Sequence, residues 1–407
     1  MKRIDQGVCA PQGFLAGGIR CGIKGGSAKR DLALVYSTAP CASAALFTTN
    51  RVKAASIGVS QEHLAKGSVR GVIANSGNAN ACTGAQGMAA ARRMAELAGE
   101  ALDISPEQMA VASTGVIGVP LPIETIAAGM PALKAALRAD AQGHEAALEA
   151  IMTTDTRKKA GALEIDLAGT PVRLGGMVKG SGMIHPNLGT MLCFITTDAC
   201  ISPECLDAAL RRAVQRSFNR VTVDGDTSTN DMVLLLANGQ ARNSRIHRPG
   251  PEEAAFREAL ESLCIALARD MARDGEGATK LLTVTVRGTW DEESAALLAK
   301  SVASSSLVKA ACFGADANWG RVLCALGYAG LAFDPHEVAV AFASPAGQLQ
   351  VCRQGMGLPF SEEKAKEILL ADSIEIIITL GQGPGEAQVW GCDLSYEYVK
   401  INGDYRS

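Results

Sequence analysis

The spacing of apolar and polar positions changes period along the chain. In residues 86–101 (QGMAAARRMAELAGEA), Ala, Met and Leu recur at helical spacing between Arg and Glu, which predicts a helix. Residues 123–138 predict a second, marred by Pro131. Ser202-Pro203-Glu204 offers a cap, a proline for the first helical position and an acid for the first turn, so a helix should open there. Another is expected from Glu252 to Arg273, stopping at Gly275. Short runs of Val, Ile, Leu and Thr predict strands at 163–167, 192–197, 232–237, 281–287, 338–343 and 374–380. The last of these read as buried on both faces, as in sheets covered by helices. With strands and helices mixed throughout, the expected class is α/β (mixed α+β), with helices packed on sheets.

Composition narrows the function. The chain has 407 residues, enough for two structural units, and no repeat, charge block or low-complexity linker divides it. A net charge of −3 with 4% aromatics leaves neither the basic surface nor the stacking platforms that nucleic acid requires. Asp5 and Pro11 break the opening MKRIDQGVCAPQGF, so it is not expected to be a signal peptide. The longest uncharged run, 71–91, is too rich in Asn, Ser, Gly and Gln to cross a bilayer. The twelve cysteines are scattered without CxxC. Cys193, Cys264 and Cys324 stand in apolar runs, where reduced thiols fill a core, as expected in the cytoplasm.

Several chemistries are excluded. His63, His144 and His247 stand in polar stretches and are expected to be exposed. His144-Glu145 begins HExxH, but Leu148 occupies the second histidine position, so no zinc site is expected. There is no GxSxG elbow, GxGxxG or P-loop. The stretch from Asp224 to Asp231 imitates a calcium loop, yet position six is Thr229 and position twelve Leu235. Neither a metal nor a cofactor is expected.

The unusual stretch is Lys179-Gly-Ser-Gly-Met-Ile-His-Pro-Asn-Leu-Gly-Thr190, which runs directly into an apolar strand. Cleavage between Gly189 and Thr190 would make Thr190 an N-terminal nucleophile whose α-amine serves as its own general base. That amine has a reference pKa of about 7.7–8.0, so a useful fraction is neutral at physiological pH and no histidine is needed. Gly189, without a Cβ, can take the strained geometry that attack on its carbonyl requires. Alternatively, Thr190 simply begins a strand.

The string KGSGMIHPNLGTML resembles the signature of the ornithine acetyltransferase / glutamate N-acetyltransferase family of arginine biosynthesis. Similar blocks reach both ends of the chain. They include Asn75–Asn80, Ser113-Thr-Gly-Val-Ile-Gly118, Met152–Thr156, Asp224–Asp231, Asp274-Gly-Glu-Gly-Ala-Thr-Lys280, 314–320 and Ile401–Ser407. The resemblance implies a precursor that cuts itself into an α chain (1–189) and a β chain (190–407), with Thr190 heading a central strand as nucleophile. It also implies Thr114 and Gly115 as the oxyanion hole. Substrate contacts are implied at Thr153 or Thr154, and at Lys179, Thr190, Glu276, Asn402 and Ser407, with the tail carrying the last two reaching into the pocket. Lys179 would pair with a substrate carboxylate rather than with water, and Glu276 would face a cationic amine rather than act as a solvated acid at a helix end. The implied reaction moves acetyl from N2-acetyl-L-ornithine to L-glutamate in a ping-pong sequence, with acetyl-CoA as an optional further donor and an α2β2 assembly. An N-terminal-nucleophile aminopeptidase or amidase is the alternative. The sequence departs from the family's usual pattern at Gly189, His185 and Ser407, where Ala, Ala and Thr are common. Glycine is expected to alter the rate of cleavage without blocking it, and serine keeps the hydroxyl.

Overall fold

The computed structural model describes residues 1–67, 69–185 and 191–404. Gly189, Thr190 and Ser407, expected at the site, lie outside the described residues.

Three sheets form the scaffold. The first has six strands in the order Lys2–Ile4, Lys159–Leu167, Thr170–Lys179, Leu192–Thr197, Met232–Ala237 and Ala42–Phe47. Its fourth and fifth strands, Leu192–Thr197 and Met232–Ala237, are parallel and buried along their whole length. The two-residue period divides their side chains between cores. Cys193, Ile195, Val233 and Leu235 face helices Pro203–Arg216 and Pro251–Arg273. Leu192, Phe194, Met232 and Leu234 face the second sheet, where Phe14, Val35, Val72 and Ala112 meet them.

That second sheet runs Phe14–Ile19, Leu32–Ser37, Gly71–Asn78, Met109–Val116, and only its last two strands are parallel. Leu32, Leu34, Ile73 and Val111 on its far face pack against helices Gly84–Leu102 and Ile123–Ala135. The result is four layers, helix–sheet–sheet–helix. A third, seven-stranded sheet centred on Ser373–Thr379 carries helices Glu292–Ser304, Ser306–Phe313, Trp319–Gly327 and Glu362–Leu369. Among the described residues no single helix is long and apolar enough to cross a membrane.

The expected strands at 192–197 and 232–237 match to the residue, and Ser202 caps its helix by accepting from Cys205 N at 3.3 Å. The helix expected over 123–138 ends at Ala135, because Arg138 leaves to exchange backbone hydrogen bonds with Ala16. Of the runs expected to be buried on both faces, Ser373–Thr379 instead alternates. Ile374, Ile376 and Ile378 point inward and Glu375 and Ile377 are half-buried. The histidine expectation also needs correction. His247 is exposed, but His63 and His144 are buried, each 6% exposed. Helical spacing puts His63 on the inward face with Val59, where Nδ1 bonds Met109 O at 2.7 Å. His144 stacks with Ala147 and Leu148 over Gly7, and burial lowers its pKa to about 4. Cys193 and Cys264 are core residues, whereas Cys324 is exposed on a helix whose inward face is Val322, Ala325 and Leu326.

Candidate active site

The site forms where the two facing sheets end. Strands Gly71–Asn78 and Met109–Val116 run parallel until Gly77 meets Gly115, and there the register slips. Gly115 has φ +136°, and a Cβ on it would lie 2.4 Å from the Gly77 carbonyl carbon, so this strand end requires glycine. Asn230 ties the two strand ends together, its amide donating to Ala79 O at 2.7 Å and Ser113 O at 2.8 Å. Thr114 is therefore held in place, 3% exposed, at the floor of a cleft.

Lys179 reaches this point from the other sheet. It ends strand Thr170–Lys179, is 2% exposed, and its Nζ donates to Thr114 Oγ1 at 3.4 Å. Burial lowers its pKa, while Asp155, Asp231 and Glu276 pull it back up. The solvated lysine that the sequence left open is ruled out. Lys179 pairs in register with Leu192, two residues after Thr190.

Four further predicted residues gather around it. Asp155 accepts from Thr153 N (2.9 Å), Gly180 N (2.7 Å) and Lys159 Nζ (2.8 Å), fixing the 153–155 turn to the end of the lysine strand. Burial pushes the Asp155 carboxyl up, but Lys179 and Lys159 overrule it and hold the group below the ordinary carboxylate range. The Thr154 hydroxyl is bonded to Ser181 Oγ at 2.7 Å, whereas that of Thr153 has no hydrogen bond among the described residues. Both threonines line the cleft, and only Thr153 offers it a free hydroxyl. Glu276 sits over Gly182, where a Cβ would come within 2.3 Å of its Oε2, and its backbone N donates to Ser181 O at 2.8 Å. Asn402 Nδ2 donates to Glu276 Oε2 at 2.9 Å. The tail carrying Asn402 is a helix, Tyr396–Asp404, tethered by Ser395 Oγ to Gly277 O and by Tyr398 Oη to Asp224.

Thr114, Gly115, Thr153, Thr154, Lys179, Glu276 and Asn402 thus line one cleft. Ser228, Thr229 and Asn230 line it too and were not singled out as site residues. Their signal was a polar run, closed by Asp231, before a wholly apolar strand. Asp224, the first residue of the imitation calcium loop, accepts backbone amides from Met183 (2.6 Å) and Ile184 (2.9 Å), so its carboxyl anchors a loop. Among the described residues no group of His, Cys, Asp or Glu could hold a metal.

Comparison with known proteins follows the same lines. The sequence model of the ArgJ family matches residues 15–407. An arginine biosynthesis bifunctional protein ArgJ from Symbiobacterium thermophilum is 52% identical over 100% of both chains. A crystal structure of an arginine biosynthesis bifunctional protein ArgJ from Bacillus halodurans is 45% identical with TM-score 0.50, covering 52% of this chain and 98% of that one. An ornithine acetyltransferase from Mycobacterium tuberculosis, solved with ornithine, is 38% identical with TM-score 0.43, covering 47% of this chain and 99% of that one.

Proposed function

This chain belongs to the ArgJ family and is an acetyltransferase of arginine biosynthesis, and on that premise we propose that it carries the acetyl group of N2-acetyl-L-ornithine to L-glutamate through an ester on Thr190. The observation that carries this reading is the cleft itself. It joins Thr114 and Gly115, at a strand end that only glycine fits, to a buried lysine and to Thr153, Glu276 and Asn402, residues from both sides of the Gly189–Thr190 bond.

Cleavage of that bond gives Thr190 a free α-amine. The amine takes the Oγ proton as Oγ attacks the acetyl carbonyl, and Thr114 and Gly115 donate to the oxyanion. The tetrahedral intermediate collapses, the proton passes to the departing ornithine nitrogen, and the acetyl group stays on Thr190. The glutamate amine then attacks the ester, its proton returns through the α-amine to Oγ, and N-acetylglutamate leaves. A solved relative that is 98% covered by only 52% of this chain supports a mature polypeptide of about half length, as 190–407 would be. The α and β chains stay together as α2β2 in the cytoplasm. The name bifunctional borne by the relatives supports acetyl-CoA as a second donor, which a thioester assay reads directly.

The test is incubation with N2-acetyl-L-ornithine alone, followed by denaturing mass spectrometry. The fragment beginning at Thr190 is expected to gain one acetyl group and to lose it when glutamate is added. Glutamate-dependent turnover without an acetylated fragment would overturn the ping-pong route.

Glu276 would hold the ornithine ammonium, because it brings a carboxylate to the cleft where Lys179 brings a cation. Hydrogen bonds to charged groups contribute about 1.5–3 kcal/mol, so Glu276→Gln is expected to slow acetylation by acetylornithine by about 10- to 100-fold. Deacetylation by glutamate should change much less. Equal slowing of both half-reactions in single-turnover assays would refute this division.

A further inference from the structure

Among the described residues that line the cleft, Lys179 is the one cation, and it is 2% exposed. The cleft therefore offers nothing accessible to a donor that carries several phosphates. Acetyl-CoA holds its thioester on a long pantetheine arm with the phosphates at the far end, so those charges must be met outside, on the rim. The sides of the rim differ in sign. Beyond Glu276 and Asn402 it is acidic, and Tyr398 there has its pKa raised by burial and then by Asp224, Glu276 and Asp226. Phosphates are repelled on that side. The side built on Ala79, Ile117 and Thr229 is basic. Segment 48–54 backs it, with Ala54 N donating to Thr229 O at 3.0 Å, Asn50 Nδ2 to Thr227 O at 3.0 Å and Thr48 Oγ1 to Ser228 O at 2.7 Å. Ala54 and Ala79 share a small apolar cluster, and Ile117 packs against it. Arg51, Val52 and Lys53 thus form an exposed tip fixed at both ends to the wall of the cleft. Neither cation has a hydrogen bond or ion pair among the described residues. No acid stands between Asp31 and Glu62 or between Glu107 and Glu124 to offset them. Two valines are held in water beside this tip and beside Ile117. Val52 is 51% exposed and its N donates to Asn50 Oδ1 at 2.9 Å; Val119 is 47% exposed and its carbonyl accepts from Asn78 Nδ2 at 3.1 Å.

We propose that this rim receives the arm of acetyl-CoA, with Arg51 and Lys53 on its phosphates and Val52 and Val119 against its pantetheine stretch. The inference rests on the reading of acetyl-CoA as a second donor to the same cleft. Charge complementarity selects this side, because its two unpaired cations are the reverse of the acids around Tyr398. Exposed apolar side chains fixed beside a cleft suit the uncharged part of the arm. Acetylornithine has neither phosphates nor a long arm, so it is held within the cleft and does not use the rim. The rim therefore sets which donor is taken and leaves the acetyl chemistry to the cleft.

The test is the double variant Arg51→Glu with Lys53→Glu, whose side chains stand in water and leave the fold untouched. Single exposed charge pairs contribute little, but here two attractions become two repulsions, so KM for acetyl-CoA is expected to rise about tenfold or more. Turnover with acetylornithine should stay within about twofold of wild type, because a rim charge outside the cleft leaves its contacts intact. S-acetylpantetheine, a thioester without phosphates, should serve variant and wild type equally. Added salt should raise the wild-type KM for acetyl-CoA and narrow its gap to the variant, since exposed charges are screened. An unchanged KM for acetyl-CoA overturns the proposal. An equal loss with acetylornithine or S-acetylpantetheine overturns it too, because the damage then lies in the cleft rather than in phosphate binding. If the wild type makes no N-acetylglutamate from acetyl-CoA, the second-donor reading fails, and calorimetric titration with CoA itself then decides the surface. Binding that the double variant weakens about tenfold upholds the surface, whereas no binding to the wild type, or equal binding to both, overturns it.

Discussion

Replacing Thr190 by alanine is expected to leave one chain of 42.2 kDa and to remove acetyl transfer entirely. The wild type should instead separate under denaturing conditions into two pieces. At 42.2 kDa over 407 residues, or about 104 Da per residue, residues 1–189 weigh about 20 kDa and residues 190–407 about 23 kDa. In the proposed mechanism one hydroxyl serves twice, attacking the Gly189 carbonyl once and the acetyl carbonyl at every turnover, so the effect should be total. Without it no α-amine is released, so the general base is lost with the nucleophile. The oxyanion donors and the substrate contacts remain, so Thr190→Ala should still bind acetylornithine. Intact-mass spectrometry beside a turnover assay reads all of this. A cleaved alanine variant would place the nucleophile elsewhere, and an uncut but active wild type would remove the need for an α-amine.

What the sequence disclosed depended on how local each signal was. The strands at 192–197 and 232–237 are apolar on both faces, and that pattern belongs to the strand alone. The Ser202 cap is legible for the same reason, since donor and acceptor lie three residues apart. His63 and His144 were misread because adjacent residues are polar, while residues four away on the helix decide which face they share. Lys179 shows the limit most clearly. Its spacing permitted both a solvated and a buried cation, and only the meeting of two sheets places Nζ against Thr114, 65 residues away. Family resemblance named Thr114 and Gly115; the structure adds why glycine is required, because the Gly77 backbone occupies the Cβ position. Of the carboxylates that hold the site, Asp155 lies four residues from its partner Lys159, but Asp274 had no local signal, because that lysine is 115 residues away.

That partner, Lys159, carries the largest expected effect on stability. Its Nζ is paired with Asp155 Oδ1 at 2.8 Å and with Asp274 Oδ2, and all three side chains are at most 1% exposed. Asp155 holds Thr153 and Gly180, and Asp274 accepts from Thr156 N and Arg157 N two residues before Glu276. The ammonium therefore joins both walls of the cleft and would clasp the α and β chains after cleavage. Removing one member of a buried ion pair costs about 3–5 kcal/mol, so Lys159→Met, which fills the same space, should destabilise the protein by that order in urea unfolding at pH 7. The sign of the pH dependence identifies the cause. With Lys159 present, the folded Asp155 carboxyl lies below its unfolded value, so its stabilisation is complete above about pH 4 and is lost only below it. Without Lys159, burial acts on Asp155 against Lys179 and the Thr153 and Gly180 amides, and its folded pKa moves upward. If it passes the unfolded value, the carboxylate is a liability at pH 7 that protonation relieves. The deficit of Lys159→Met relative to wild type is thus expected to narrow between pH 7 and pH 5. A deficit of the same size at both would assign the loss to packing of the lysine stem rather than to the stranded carboxylates.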